Sequence, residues 1–170
     1  SLATMEVSYM KGLMDKPEEF TTLASFYLYK KNPAMSAKVL EKAITNEDID
    51  FDNTNSKLLA DSWLFAKERL KSLNVIGRSL NNDPEDAKLI KQYINIAFSA
   101  FEWDEVIKGV NKANEAGLKD DGKFALMKGI AYFEKNSIVN AKNSFIQASN
   151  SEEYKDQGIA WLEYLEALNG

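Results

Sequence analysis

Asp48, Asp50 and Asp52 alternate between Glu47 and Asn55, an oxygen-rich run of the kind that opens a calcium loop. Such a loop needs Gly at its sixth position and an acidic residue at its twelfth, and counting from Asp48 those places hold Asn53 and Leu59. The run therefore reads as a turn whose Asp and Asn side chains cap the next helix, and no metal ligands are assigned. Carboxylates also occur in pairs, Glu152 with Glu153 and Glu102 with Asp104. General acid and base work needs carboxyls opposed across a cleft, whereas these stand at expected helix starts, where the macrodipole favours acidic side chains. The chain has no His and no Cys. That removes thiolate nucleophiles, zinc sites built on those residues and the side chain that titrates near neutrality. There is no Gly-rich phosphate loop and no activated-serine motif. No catalytic or cofactor-binding residue is assigned, and the chain reads as a non-enzyme.

What recurs instead is a pattern of size. Ser36, Leu40 and Ala43; Ser72, Ile76 and Ser79; Val106, Val110 and Ala113; and Ala141, Phe145 and Ala148 each repeat one spacing, and their first members lie 36, 34 and 35 residues apart. A period of about 34 residues is that of stacked helix pairs of the tetratricopeptide type. The fold expected is all-α, a right-handed superhelical α-α solenoid in one domain over 1–170. Its repeats run over 17–52, 53–86, 87–121 and 122–155. Residues 2–12 are expected to be the second helix of a truncated repeat, with Ala3, Val7 and Met10 in second-helix places, and the chain to be a C-terminal fragment. Residues 156–170 are expected to cap the array with a stripe of Ile159, Leu162, Leu165 and Leu168.

Numbering each repeat from Pro17, Asn53, Ala87 and Gly122 aligns the first helices. The eighth place holds Ala24, Ala60, Ile94 and Gly129, small except for Ile94, which lets the second helix approach. The eleventh holds Tyr27, Trp63, Ala97 and Tyr132, rings that fill the space between pairs except at Ala97. Lys128 departs at the seventh place, where Leu23, Leu59 and Tyr93 stand. Asn32–Pro33 and Asp83–Pro84 read as helix starts, Gly117 as a left-handed helix end, and Asp120 and Asp121 as caps of the next helix.

First helices line the inner face of such an array. On it the twelfth place holds Leu28, Leu64, Phe98 and Phe133, and the thirteenth adds Tyr29 and Phe65. This column suits a partner's helix or extended segment, each buried side chain contributing roughly 1.5–3 kcal/mol; the same residues also suit packing against the next repeat. Lys57, Lys88, Lys91 and Asn95 occupy further inner places and suit an acidic tail or a C-terminal carboxylate, or a solvated face. A net charge of −5 with both signs interspersed gives no footprint for nucleic acid. No apolar run nears the roughly 20 residues of a membrane span, and no charged-then-apolar leader opens the chain. Lack of Cys suits a reducing cytosol and a periplasm alike.

The segments LASFYLYKKNPAMSAKVLEKAI at 23–44, LLADSWLFAKE at 58–68 and GLKDDGKFALMKGIAYF at 117–133 resemble the C-terminal part of a proteobacterial family. It is the tetratricopeptide protein encoded beside ExbB, ExbD and TonB genes. The resemblance implies a periplasmic accessory protein that binds TonB- or ExbD-type periplasmic domains and supports nutrient uptake, and it implies no site residue. Ser36 and Ser72 depart from the family's usual residues, a change expected to affect packing rather than partner choice. The alternative is a co-chaperone or assembly factor that recognises acidic or C-terminal tails. Self-association through an uncovered N-terminal end is a further expectation.

Overall fold

The computed structural model describes residues 2–119 and 122–168, and among these it contains ten α-helices and no strand. Four antiparallel pairs follow the expected repeats: α2 (Pro17–Tyr29) with α3 (Pro33–Thr45), α4 (Asn53–Phe65) with α5 (Arg69–Asn82), α6 (Ala87–Ser99) with α7 (Trp103–Glu115), and α8 (Lys123–Glu134) with α9 (Ile138–Ser149). Helix α1 (Leu2–Met10) precedes them and α10 (Lys155–Leu168) follows. The chain forms two compact units, 1–82 and 83–170. No described helix is long and apolar enough to cross a membrane.

All twelve residues of the recurring size pattern are buried, because that face of each second helix packs on first helices, its own as at Ser72 or the next one along as at Ser36. In the first unit the close approach is made with hydroxyls. Ser36 Oγ lies 3.0 Å from Ser62 Oγ, linking α3 to α4. Ser62 Oγ donates to the Leu58 carbonyl at 2.7 Å, and Ser72 Oγ donates to the Ala60 carbonyl at 2.8 Å across the α4–α5 pair. A buried hydroxyl needs such a partner, and a serine is small enough to bring one helix close to another.

The second unit makes its approach with glycine against a large side chain. A Cβ at Gly129 on α8 would stand 2.5 Å from ring carbons of Phe145 on α9. Ile94 fills a place that is small elsewhere, and Gly109 of α7 compensates: a Cβ there would lie 2.7 Å from Ile94 Cγ1. The departure of Ile94 from the repeat pattern is therefore a swap of large and small between partner helices. Lys128, another departure, is half-buried; its Nζ donates to Asn111 Oδ1 at 2.7 Å, and burial holds its pKa below the usual lysine value.

Helix ends follow local chemistry. Asn32 Oδ1 accepts from Met35 N–H at 3.4 Å, and Asp52 Oδ1 accepts from Asn55 N–H at 2.8 Å, so the acidic run at 48–52 ends in a cap. Gly117 takes φ +66°, and Leu118 N–H closes onto the Ala113 carbonyl. Asp83–Pro84 does not start a helix. It forms a turn, and α6 begins three residues later on Asp86, whose Oδ1 accepts from Lys88 N–H at 2.8 Å and Leu89 N–H at 3.0 Å. Asp120 and Asp121 lie outside the described residues.

Both flanking helices differ from simple stripes. Ala3, Val7 and Met10 are exposed, and α1 leans on α2 through Tyr9, edge-on to Phe20 at 6.4 Å, and Glu6, which accepts from the Tyr27 hydroxyl at 2.8 Å. On α10 the packed face is Gly158, Trp161, Leu162 and Leu165, while Ile159 and Leu168 of the expected stripe are exposed. Two apolar stripes share this helix, and the one containing Gly158 seats because a Cβ there would lie 2.5 Å from Ser149 N, so only glycine permits the contact.

Candidate functional site

Each first helix carries a stripe of exposed or half-buried side chains at the second, fifth, ninth, twelfth and thirteenth places of the repeat, of which Leu126, Ile130 and Phe133 on α8 also pack against the core of Ala141, Phe145 and Leu165. In the first unit the stripe carries Glu18, Thr21, Ser25, Leu28 and Tyr29 on α2, then Thr54, Lys57, Asp61, Leu64 and Phe65 on α4. Leu28 and Leu64 are half-buried, whereas Tyr29 and Phe65 are 79% and 67% exposed. Such exposure of rings is unusual for core side chains and ordinary for a contact surface. Lys57 is held in an ion pair by Asp61 one turn on, so its charge is already answered.

The second unit carries Lys88, Lys91, Asn95, Phe98 and Ser99 on α6 and Lys123, Leu126, Ile130, Phe133 and Glu134 on α8. Lys88 and Lys91 are exposed and have no acidic partner among the described residues. Asn95 Oδ1 accepts from Lys123 Nζ at 3.3 Å, which ties the α6 stripe to that of α8. Phe98 is half-buried, with its ring 5.7 Å from Trp103, and Trp103 in turn meets Phe101 at 5.6 Å. Phe101 is 71% exposed at φ +60°, a backbone conformation that a bulky residue seldom takes.

Phe133 is also half-buried, and it has partners that sequence reasoning missed. Its ring lies 5.3 Å from Trp161 and 5.8 Å from Tyr164, and those two rings meet at 5.8 Å and 83°. With Ala160 they form an open, mainly apolar corner of about 320 Å³ between α8 and α10. Trp161 is braced from behind by Phe145, stacked at 4.9 Å and 8°. A signal for this site was present: carrying the period on by 34 residues places Ala160 and Tyr164 where Leu126 and Ile130 stand.

The ionisable groups with displaced pKa values are structural. Tyr27 is pushed up to about 12, first by burial and then by its hydrogen bond to Glu6. Tyr93 is also raised by burial and by donating to Glu105. The paired carboxylates stand near helix starts: Glu102 is the N-cap residue of α7 but its side chain makes no cap hydrogen bond, Asp104 meets Lys135 Nζ at 2.7 Å, and Glu152 and Glu153 are exposed just before α10. No cluster of three or more acidic residues placed to hold a metal occurs among the described residues.

No family model matches the chain, and no curated protein matches it in sequence. Solved structures do match. A crystal structure of MamA, a helical-repeat protein of the tetratricopeptide type, superposes with a TM-score of 0.57 at 18% identity, covering 92% of this chain and 89% of that one. A second MamA structure gives a TM-score of 0.59 at 18% identity, over 92% and 83%. The fold is therefore that of a tetratricopeptide-type helical-repeat protein.

Proposed function

We propose that the protein is a non-enzymatic scaffold that holds a partner polypeptide along its first helices, as an accessory of a periplasmic TonB-type energy-transduction system. The observation that carries this reading is that the twelfth place of each repeat is half-buried and apolar, Leu28 and Leu64 in the first unit and Phe98 and Phe133 in the second, with exposed Tyr29 and Phe65 following in the first. Side chains so placed can still bury area against a partner, roughly 25 cal/mol per Å². The periplasmic setting and the TonB- or ExbD-type partners rest on the likeness of residues 23–44, 58–68 and 117–133 to that family. Pull-down with the purified periplasmic domains of TonB and ExbD tests it: the wild-type chain retains one of them and the Phe98→Asp, Phe133→Asp double variant does not. Equal retention by both refutes the groove, and no retention refutes these partners.

A second reading, recognition of acidic or C-terminal tails, is favoured by Lys88 and Lys91, whose charges are unanswered among the described residues. Lys57 contributes less, being held by Asp61. Charge-steered binding weakens as salt rises whereas apolar burial does not, so a salt series separates the two. Self-association is proposed at α1, where Val7 and Met10 are exposed beside Leu13; light scattering that shows only monomer at high concentration removes it.

A further inference from the structure

We propose that α10 completes a binding pocket rather than only closing the array: the corner of Phe133, Ala160, Trp161 and Tyr164 takes one apolar side chain from an extended acidic segment of a partner, whose carboxylates meet Lys88, Lys91 and Lys123. This deepens the tail-recognition reading and rests on it. Three observations converge. The corner is built, because Trp161 is stacked flat on buried Phe145, Tyr164 stands edge-on to both Phe133 and Trp161, and the open space between them is lined mainly by ring faces and a methyl. A site walled mainly by ring faces and a methyl favours an aliphatic or aromatic group over a polar one.

The same wall supplies the charge. Lys123 bonds to Asn95 and Phe133 touches Tyr164, so the outward stripes of α6, α8 and α10 lie side by side. Their charged members are Lys88, Lys91 and Lys123 at one end and Glu134 at the other, in a chain whose net charge is −5. A basic stripe on an acidic protein selects acidic ligands by contrast with the rest of its surface. Ala160 holds on α10 the place that Lys91 holds on α6, two first helices away. With neighbouring helices about 8–10 Å apart, the lysines and the corner are separated by about six residues of extended chain.

The probe is a fluorescein-labelled octapeptide with both ends blocked, carrying two Glu at one end and one Leu six residues away, synthesised in both chain directions and read by anisotropy. Blocking the ends separates internal carboxylates from a terminal one. One direction is expected to bind, at least tenfold more tightly than its Leu→Ser or its Glu→Gln counterpart. Ala160→Glu, at an exposed helical position, is expected to abolish the preference for Leu while leaving the helical circular dichroism and melting temperature unchanged. Lys88→Glu with Lys91→Glu is expected to abolish the preference for Glu. Failure of both directions to bind, or equal binding of the Leu and Ser peptides, overturns the proposal. So does an Ala160→Glu variant that binds like the wild type. A chain that retains a TonB or ExbD domain in an Ala160→Glu background, but not with Phe98→Asp, leaves the scaffold standing and removes this pocket alone.

Discussion

The two units repeat one architecture with different chemistry, inside and out. Inside, α3, α4 and α5 meet through Ser36, Ser62 and Ser72, whereas α6 to α10 meet through Gly109, Gly129 and Gly158 set against Ile94, Phe145 and the α9 backbone. Outside, the first unit answers its own lysine and exposes rings at Tyr29 and Phe65, while the second leaves Lys88 and Lys91 open and folds its rings into a corner. The repeat thus requires only that a small group face a neighbouring helix. Whether that group is a hydroxyl or a hydrogen atom is free to vary, and so is the stripe that meets solvent.

The contrast can be broken most forcefully at Phe145. Phe145→Ala removes the ring that fills the space over Gly129 and braces Trp161, and we expect a loss of about 3–5 kcal/mol in chemical denaturation, accompanied by a shift in tryptophan emission. Gly109→Ala adds a methyl where Ile94 Cγ1 already stands and should cost about 1–3 kcal/mol. Combining it with Ile94→Ala should give less than the sum of the two single losses, because the two sites share one space. In the first unit Ser72→Ala loses one buried hydrogen bond and no volume of consequence, and should cost only about 1 kcal/mol. A larger loss there than at Gly109 would reverse the proposed distinction between the cores.

The smallest effect concerns pH. The Tyr27 phenol is raised to about 12 in the folded chain and titrates near 10 when unfolded. The fold favours the neutral form, so this contribution is complete below pH 10 and disappears as the pH rises from 10 to 12. Tyr27→Phe should flatten the decline of melting temperature over that window, and an unchanged slope would show that the bond to Glu6 carries no linkage.

The size pattern was legible because close helix packing constrains residue volume directly: Ser36, Leu40, Ala43 and their equivalents announce their burial by size alone. The swap of Ile94 with Gly109 was hidden, since it appears only when two helices are read against each other. On α10, Ile159, Leu162, Leu165 and Leu168 satisfy helical spacing as well as Gly158, Trp161, Leu162 and Leu165 do, and which stripe docks depends on the backbone contact at Ser149. For the same reason Trp161 and Tyr164 escaped notice as partners of Phe133. The start of α6 was misplaced because Pro84 is a strong local signal, although the side chain that reaches the free amides belongs to Asp86.

The claim underlying this account is that a partner polypeptide lies against the outward stripes of the first helices. Site-specific photo-cross-linking measures this directly, with a benzophenone side chain placed singly at Ser25 or Asn95 on those stripes and at Lys38 or Asn143 on exposed faces of second helices. In the presence of the retained TonB or ExbD domain, the account predicts adducts from positions 25 and 95 and none from 38 and 143. Adducts confined to the second helices would contradict it.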